Sequence, residues 1–155
     1  VAYQTIFDLA AAGYKSWTFP AYGLIFVAIG AAMMIFRKHL PLPSRKAAPW
    51  ILTLALAWTI LTYGLTFLEY RSLSSALESG EAKTVTGVVS NFKPMPASGH
   101  ANERFCVDRT CFENSDFEVS AGFNNTSSQG GPIHEGLPVR VTYFRGKILK
   151  LEIAR

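Results

Sequence analysis

Cys106 and Cys111 are the side chains in this chain best placed to do chemistry. The sequence between them, Val107-Asp108-Arg109-Thr110, reads as a two-residue turn at Asp108-Arg109 joining two strands. Val107 then faces Thr110 and Cys106 faces Cys111. That second pair out from the turn is of the non-hydrogen-bonded kind, with Cα atoms about 4.5–5.5 Å apart, within reach of a disulfide. The expectation is a structural cross-strand disulfide in a domain outside the reducing cytosol. In a cytoplasmic domain the same residues would be reduced core thiols. Their spacing is not the CxxC of a redox motif, and two thiols fall short of a four-ligand structural zinc site.

His100 and His134 come next. With Glu103, Asp108 or Glu135 they have the donor types of a three-ligand metal centre. Nothing in the spacing brings them together, and loop histidines are ordinarily solvated, so no metal or other cofactor is expected. The chain has no nucleophile elbow, P-loop, dinucleotide fingerprint or HExxH. Asp116 and Glu118 read as ordinary outward strand residues. An enzyme is not expected.

The stretch 120–136, SAGFNNTSSQGGPIHEG, is too long for a plain connector. Phe123, Asn124, Asn125 and His134 are its candidate ligand- or partner-contacting residues. The competing role for Phe123, with Ile133, is to plug the end of the domain. Asn124 and Asn125 each head an N-x-[ST] sequon, which matters only in a glycosylating host. Acidic residues (Glu103, Asp108, Glu113, Asp116, Glu118) gather before this stretch and basic ones (Arg140, Arg145, Lys147, Lys150, Arg155) after it. Complementary neighbouring strands explain that pattern; an anion-binding face at the C-terminal hairpin is the functional alternative.

These residues need a scaffold, and its signal is period two from Lys83 onward. Five strands are predicted: 83–93, 103–107, 110–119, 137–144 and 147–154. Val139, Val141 and Tyr143 alternate with Arg140 and Thr142, and Leu149, Leu151 and Ile153 with Lys150 and Glu152, the mark of a half-buried antiparallel sheet. Arg145-Gly146 makes a second tight turn. Five short strands cannot stack two large sheets, so a small closed barrel over 83–155, OB-like or SH3-like, is expected.

The segment before it is of another character. Residues 50–68, WILTLALAWTILTYGLTFL, pass without a charge or a proline. At about 1.5 Å per residue such a helix approaches the ~30 Å of a bilayer's hydrocarbon core. Residues 20–36 form a first span, opened by Trp17, Phe19 and Tyr22 as an interfacial belt and carrying Gly23, Ala28, Gly30, Ala31 and Ala32 as a small-residue surface against which Trp58 or the leucines of the second span can pack. Residues 17–68 therefore read as a transmembrane hairpin. Its turn, 37–49, holds Arg37, Lys38, Arg45 and Lys46 and no acid, and Pro41 and Pro43 prevent one continuous helix. From Glu69 onward ten basic residues balance ten acidic ones, and Lys15 balances Asp8, so the whole net charge of +4 comes from these four. By the positive-inside rule the turn is cytoplasmic, with the N-terminus and the C-terminal domain both on the far side. A basic excess confined to one turn is no nucleic-acid footprint.

Two connecting pieces complete the reading. Tyr3, Ile6, Phe7, Ala10 and Tyr14 recur at spacings of three and four, predicting a short helix over 1–16 that lies in the headgroup region. Residues 69–82 continue the second span as a juxtamembrane helix, with Leu73 and Leu77 four apart and Gly80 as its C-cap.

The stretches AGYKSWTFPAYGLIFVAIG and GFNNTSSQGGPIHEGLPVRV resemble those of small, mostly uncharacterised two-pass inner-membrane proteins of bacteria, a resemblance that covers most of the chain. Membrane-anchored OB-domain proteins of the NfeD type are a looser likeness, of fold only. The resemblance implies an α+β membrane protein in the bacterial inner membrane with a periplasmic barrel. It implies no activity and no functional residues. The expected role is a non-enzymatic accessory or assembly module, its partners the bilayer and another envelope protein or a second copy. The alternative is a membrane effector whose barrel binds a small ligand in the cytosol; the basic turn opposes it.

Overall fold

A computed structural model describes residues 2–96, 98 and 101–155. The chain forms two compact units, residues 14–68 and residues 1–13 with 69–155.

The helical unit holds α2 (Thr18–Ile35) and most of α3 (Leu42–Glu78). Both are long and apolar enough to cross a membrane. α3 begins eight residues before the expected second span, so the turn between the helices is confined to residues 36–41, with a short 3-10 turn at Arg37–His39. As expected, the chain does not run through Pro41 and Pro43 as one continuous helix: Pro41 lies in the turn. Pro43 sits in the first turn, where its missing N–H has no intrahelical acceptor anyway, and Pro49 is carried inside the helix. Arg45 and Lys46 are therefore helical, and both remain exposed together with Arg37 and Lys38. The small-residue surface of α2 is used as expected. A Cβ on Gly23 would lie 2.7 Å from the Trp58 ring, and one on Gly30 would lie 2.8 Å from Leu52 Cα, so only glycine admits this approach. Phe19 packs on Trp58, and the Tyr14 hydroxyl lies 2.6 Å from Thr66 Oγ1.

The second unit is a six-stranded antiparallel sheet, in the order β1-β6-β5-β2-β3-β4. Its strands are β1 (Tyr3–Asp8), β2 (Lys83–Lys93), β3 (Glu103–Val107), β4 (Thr110–Asn114), β5 (Pro138–Phe144) and β6 (Lys147–Ala154). The strands expected at 83–93, 103–107 and 147–154 match residue for residue. The C-terminal turn is of the type I′ kind, with positive φ at Arg145 (48°) and Gly146 (78°).

Three expectations are corrected. First, residues 3–8 are a strand and only Leu9–Ala12 are helical. β1 pairs with β6 from Tyr3↔Ala154 to Asp8↔Lys150. A register shift between Thr5 and Phe7 breaks its alternation, which is why its apolar residues imitate helical spacing. The Ala2 carbonyl accepts from Arg155 N–H, and the Arg140 guanidinium lies 4.0 Å from the Tyr3 ring centroid. Second, β4 stops at Asn114 rather than 119, because Glu118 N–H closes a turn on the Ser115 carbonyl. Third, the sheet is open, six strands and not a five-stranded closed barrel. β1 adds to the β6 edge, and residues 115–136 pack as an irregular segment, with Phe123 N–H donating to Ile148 O. β2 carries an irregularity: Asn91 has φ 54° and the register to β3 shifts between Ser90 and Lys93.

The main core is Val89, Phe105, Val107, Phe112, Phe123, Ile133, Val139, Val141, Ile148 and Leu151. A second cluster joins Leu9, Leu73, Ala121 and Leu149, so the final turns of α3 pack into this unit through Leu73. After Glu78 the chain leaves the helix through Gly80 at φ 77°, and Ala82 N–H caps the Ala76 carbonyl.

Candidate functional site

β3 and β4 position the cysteines as the turn geometry requires. Asp108 has φ 54°, Val107 pairs with Thr110, and Cys106 lies opposite Cys111. The two sulfurs are at bonding distance, 2.02 Å, with Cα atoms 3.9 Å apart, closer than the range expected from the strand register. Cys111 is exposed and Cys106 half-buried, on the outer face of the ribbon. The bond ties two strands at their turn.

The inner face of the same ribbon carries Phe105, Val107 and Phe112, and it ends in a pair that alternation would make apolar: Glu103 opposite Asn114. Glu103 is 0% exposed and Asn114 3%. Glu103 Oε2 accepts from Ser127 N–H at 2.8 Å and from Ser127 Oγ at 2.5 Å, whereas Oε1 has no hydrogen-bond partner among the described residues. Neither Oδ1 nor Nδ2 of Asn114 has one. The neighbouring residue on the loop, Thr126, is fully buried and held by Asp116, whose Oδ1 accepts from Thr126 N–H at 3.2 Å and whose Oδ2 takes the Thr126 hydroxyl. Two carboxylates thus hold consecutive residues of the 120–136 stretch. Ser115 Oγ, beside Asn114, donates to the buried Met95 sulfur at 3.7 Å. These contacts explain the stretch's length: it is bound into the sheet rather than looped off it.

The predicted contact residues divide accordingly. Phe123 belongs to the core, 8% exposed, its ring tilted 59° against that of Phe7 with centroids 5.7 Å apart. Asn124 is half-buried and its Nδ2 donates to the Glu118 carbonyl at 2.9 Å. Asn125 and His134 are exposed, and His134 Nδ1 lies 2.9 Å from the Glu135 carbonyl. His100 lies outside the described residues, and among the described residues no three His, Cys, Asp or Glu side chains cluster as metal ligands do. Glu135 instead accepts from Phe92 N–H at 2.7 Å. Three basic residues of the last hairpin meet acids: Lys147 pairs with Glu118, and Arg140 and Lys150 lie 3.7 and 3.2 Å from Glu152, whereas Arg145 sits over the Phe144 ring and Arg155 Nε donates to Gln4 Oε1. The largest exposed apolar side chain of this unit is Phe117, at 71%, close to exposed Val119. Sequence reasoning missed both Phe117, read as a strand residue, and the burial of Glu103.

A groove of about 410 Å³ in the helical unit is lined by Trp17, Pro20, Ala21, Leu24, Thr59, Ile60 and Tyr63. Its lining is almost wholly apolar, and Thr59 spends its hydroxyl on the Ala55 carbonyl. It offers no catalytic group.

Comparison with protein-family models, with curated proteins and with solved structures finds no match.

Proposed function

We propose that the protein is a two-pass protein of the bacterial inner membrane and presents its sheet unit in the periplasm as a non-enzymatic binding or assembly module. The observation that carries this reading is the pairing of β1 with β6. One folded sheet contains residues from before α2 and from after α3. Both ends of the chain must then lie on one side of any membrane the helices enter, so the helices cross it twice. That the helices enter one is supported by their surfaces: only 17% of Thr18–Ile35 and 6% of the most apolar stretch of α3 are buried, whereas the core helix of a soluble protein would be covered. By the positive-inside rule, Arg37, Lys38, Arg45 and Lys46 support a cytoplasmic turn and, with it, periplasmic ends. A disulfide at Cys106–Cys111 suits that compartment.

A binding role is favoured by what the sheet unit exposes. Its pairs of charged side chains are largely matched, and Phe117, Val119, Asn125 and His134 stand at the surface on or beside the stretch held by Glu103 and Asp116. We read them as the contact surface for an envelope protein or a second copy. The likeness to two-pass bacterial membrane proteins, and the looser one of fold to the NfeD type, bear on this architecture and not on the role.

Photo-crosslinking from position 117 in intact cells tests it. A discrete partner or dimer band, lost when Phe117 is replaced by Ser, supports the module; no band from position 117, 119 or 134 contradicts it. If sidedness mapping places the sheet unit in the cytosol, the reading becomes that of a cytosolic sensor domain.

A further inference from the structure

We infer that the end of the β3–β4 ribbon is a binding site for a single hard cation, best matched by Ca²⁺, held by Glu103 and Asn114 with Asp116 beside them. Three observations lead there. Glu103 is wholly buried, yet none of the ion pairs in the described residues involves it. Asn114, directly opposite on the same inward face, is equally enclosed, with both ends of its amide unpartnered. Asp116 adds a second carboxylate, half-buried, and the adjacency of Thr126 and Ser127 keeps the two acids together.

The chemistry decides among occupants. A buried water would satisfy one or two of the orphaned atoms. It would bring no positive charge to an enclosed carboxyl group, which a cation does. Oε1 of Glu103 and Oδ1 of Asn114 are hard oxygen donors, and carboxylate, amide carbonyl and water are the ligands that calcium takes. Among the described residues no thiol or imidazole, which would favour zinc or copper, is part of the nest. Mg²⁺ holds its waters and demands a stricter octahedron, which two protein oxygens on facing strands serve poorly. Because Glu103 and Asp116 also grip Ser127 and Thr126, the cation would be linked to the anchoring of the whole 120–136 stretch.

The test uses the full chain in detergent, stripped with EDTA and returned to metal-free buffer, and it holds whichever side of the membrane the unit occupies. Calorimetric titration with CaCl₂ is expected to show one ion bound per chain, with a dissociation constant of about 0.1–1 mM, as in extracellular calcium modules. In about 5 mM CaCl₂ the unfolding midpoint of the sheet unit should rise by roughly 5–10 °C over the EDTA state. Glu103→Gln should abolish uptake and shift together. Asp116→Asn, which leaves the buried pair intact, should weaken binding about tenfold or more, the loss of one charged ligand. Wild-type protein with no heat of binding and no shift at about 10 mM CaCl₂ overturns the inference, since that concentration would saturate such a site. So does Glu103→Gln that still takes up one equivalent, or that is cation-indifferent and more stable than wild type, the pattern of a nest holding neutral water.

Discussion

Leu9→Ala is the substitution that most directly tests whether the N-terminal segment belongs to the sheet unit. Leu9 follows β1, is 0% exposed, and packs with Leu73, Ala121 and Leu149. A Leu→Ala change at a fully enclosed site costs about 2–5 kcal/mol, the transfer term plus the cavity left behind. Three of its neighbours lie on different elements, and Leu73 and Leu149 are themselves enclosed, so the site has little freedom to collapse. A value near 3 kcal/mol is appropriate, which corresponds to a fall of roughly 100-fold in the folded-to-open ratio. The three tryptophans lie at 17, 50 and 58, all in the helical unit, so their fluorescence would not follow this event. Hydrogen exchange read by mass spectrometry on peptides of β6 would. Protection across Lys147–Ala154 should drop by about two orders of magnitude, while Leu24→Ala, an exposed site on α2, leaves it unchanged. Protection in Leu9→Ala within about threefold of wild type would refute the reasoning, because a cavity of that kind cannot be so cheap.

Removing the cross-strand disulfide with Cys106→Ala and Cys111→Ala should cost about 2 kcal/mol, the small value expected for a short loop, seen as a lower denaturation midpoint of the sheet unit. Gly30→Leu should unseat α2 from α3, since even its Cβ would meet Leu52 backbone, and should lower the thermal midpoint of the helical unit in detergent; Gly64→Ala, with open space around it, should leave that midpoint unchanged or raise it by up to about 1 kcal/mol equivalent. Arg145→Asn should stabilise the sheet unit by about 0.5–1 kcal/mol in chemical denaturation, because Asn-Gly tolerates the two positive φ angles that Arg-Gly adopts under strain.

Local chemistry made β2 to β6 legible. Alternation marks Val139 to Tyr143 and Leu149 to Ile153, and the short spacing of the cysteines fixes their partner once a tight turn is assumed. Gly80 and the close approach at Gly23 and Gly30 were readable for the same reason: each depends on residues nearby or on side-chain size alone. β1 was not readable, because its partner β6 is over a hundred residues away and its register shift erases the period-two signal. Pro41 and Pro43 marked the break between the helices, but not that α3 starts at Leu42, because a proline in the first turn of a helix is tolerated. Glu103 illustrates a different limit. Its place at the start of β3 was visible, but its inward burial depends on Asn114 across the ribbon and Ser127 on a distant loop. The closed barrel failed because an irregular segment, 115–136, packs against the sheet in place of another strand, and irregular backbone has no periodic signature.

The central claim, that both ends of the chain form one folded unit on the far side of a membrane crossed twice, is tested most directly by thiol labelling in intact bacterial cells. A membrane-impermeant maleimide would be applied to the wild-type protein, with its Cys106–Cys111 pair, and to a variant in which both are Ala and Gln4 is Cys. The account predicts labelling of wild type only after reduction, and labelling of the Gln4→Cys variant without it, both before lysis. Labelling of either position only after lysis would contradict it.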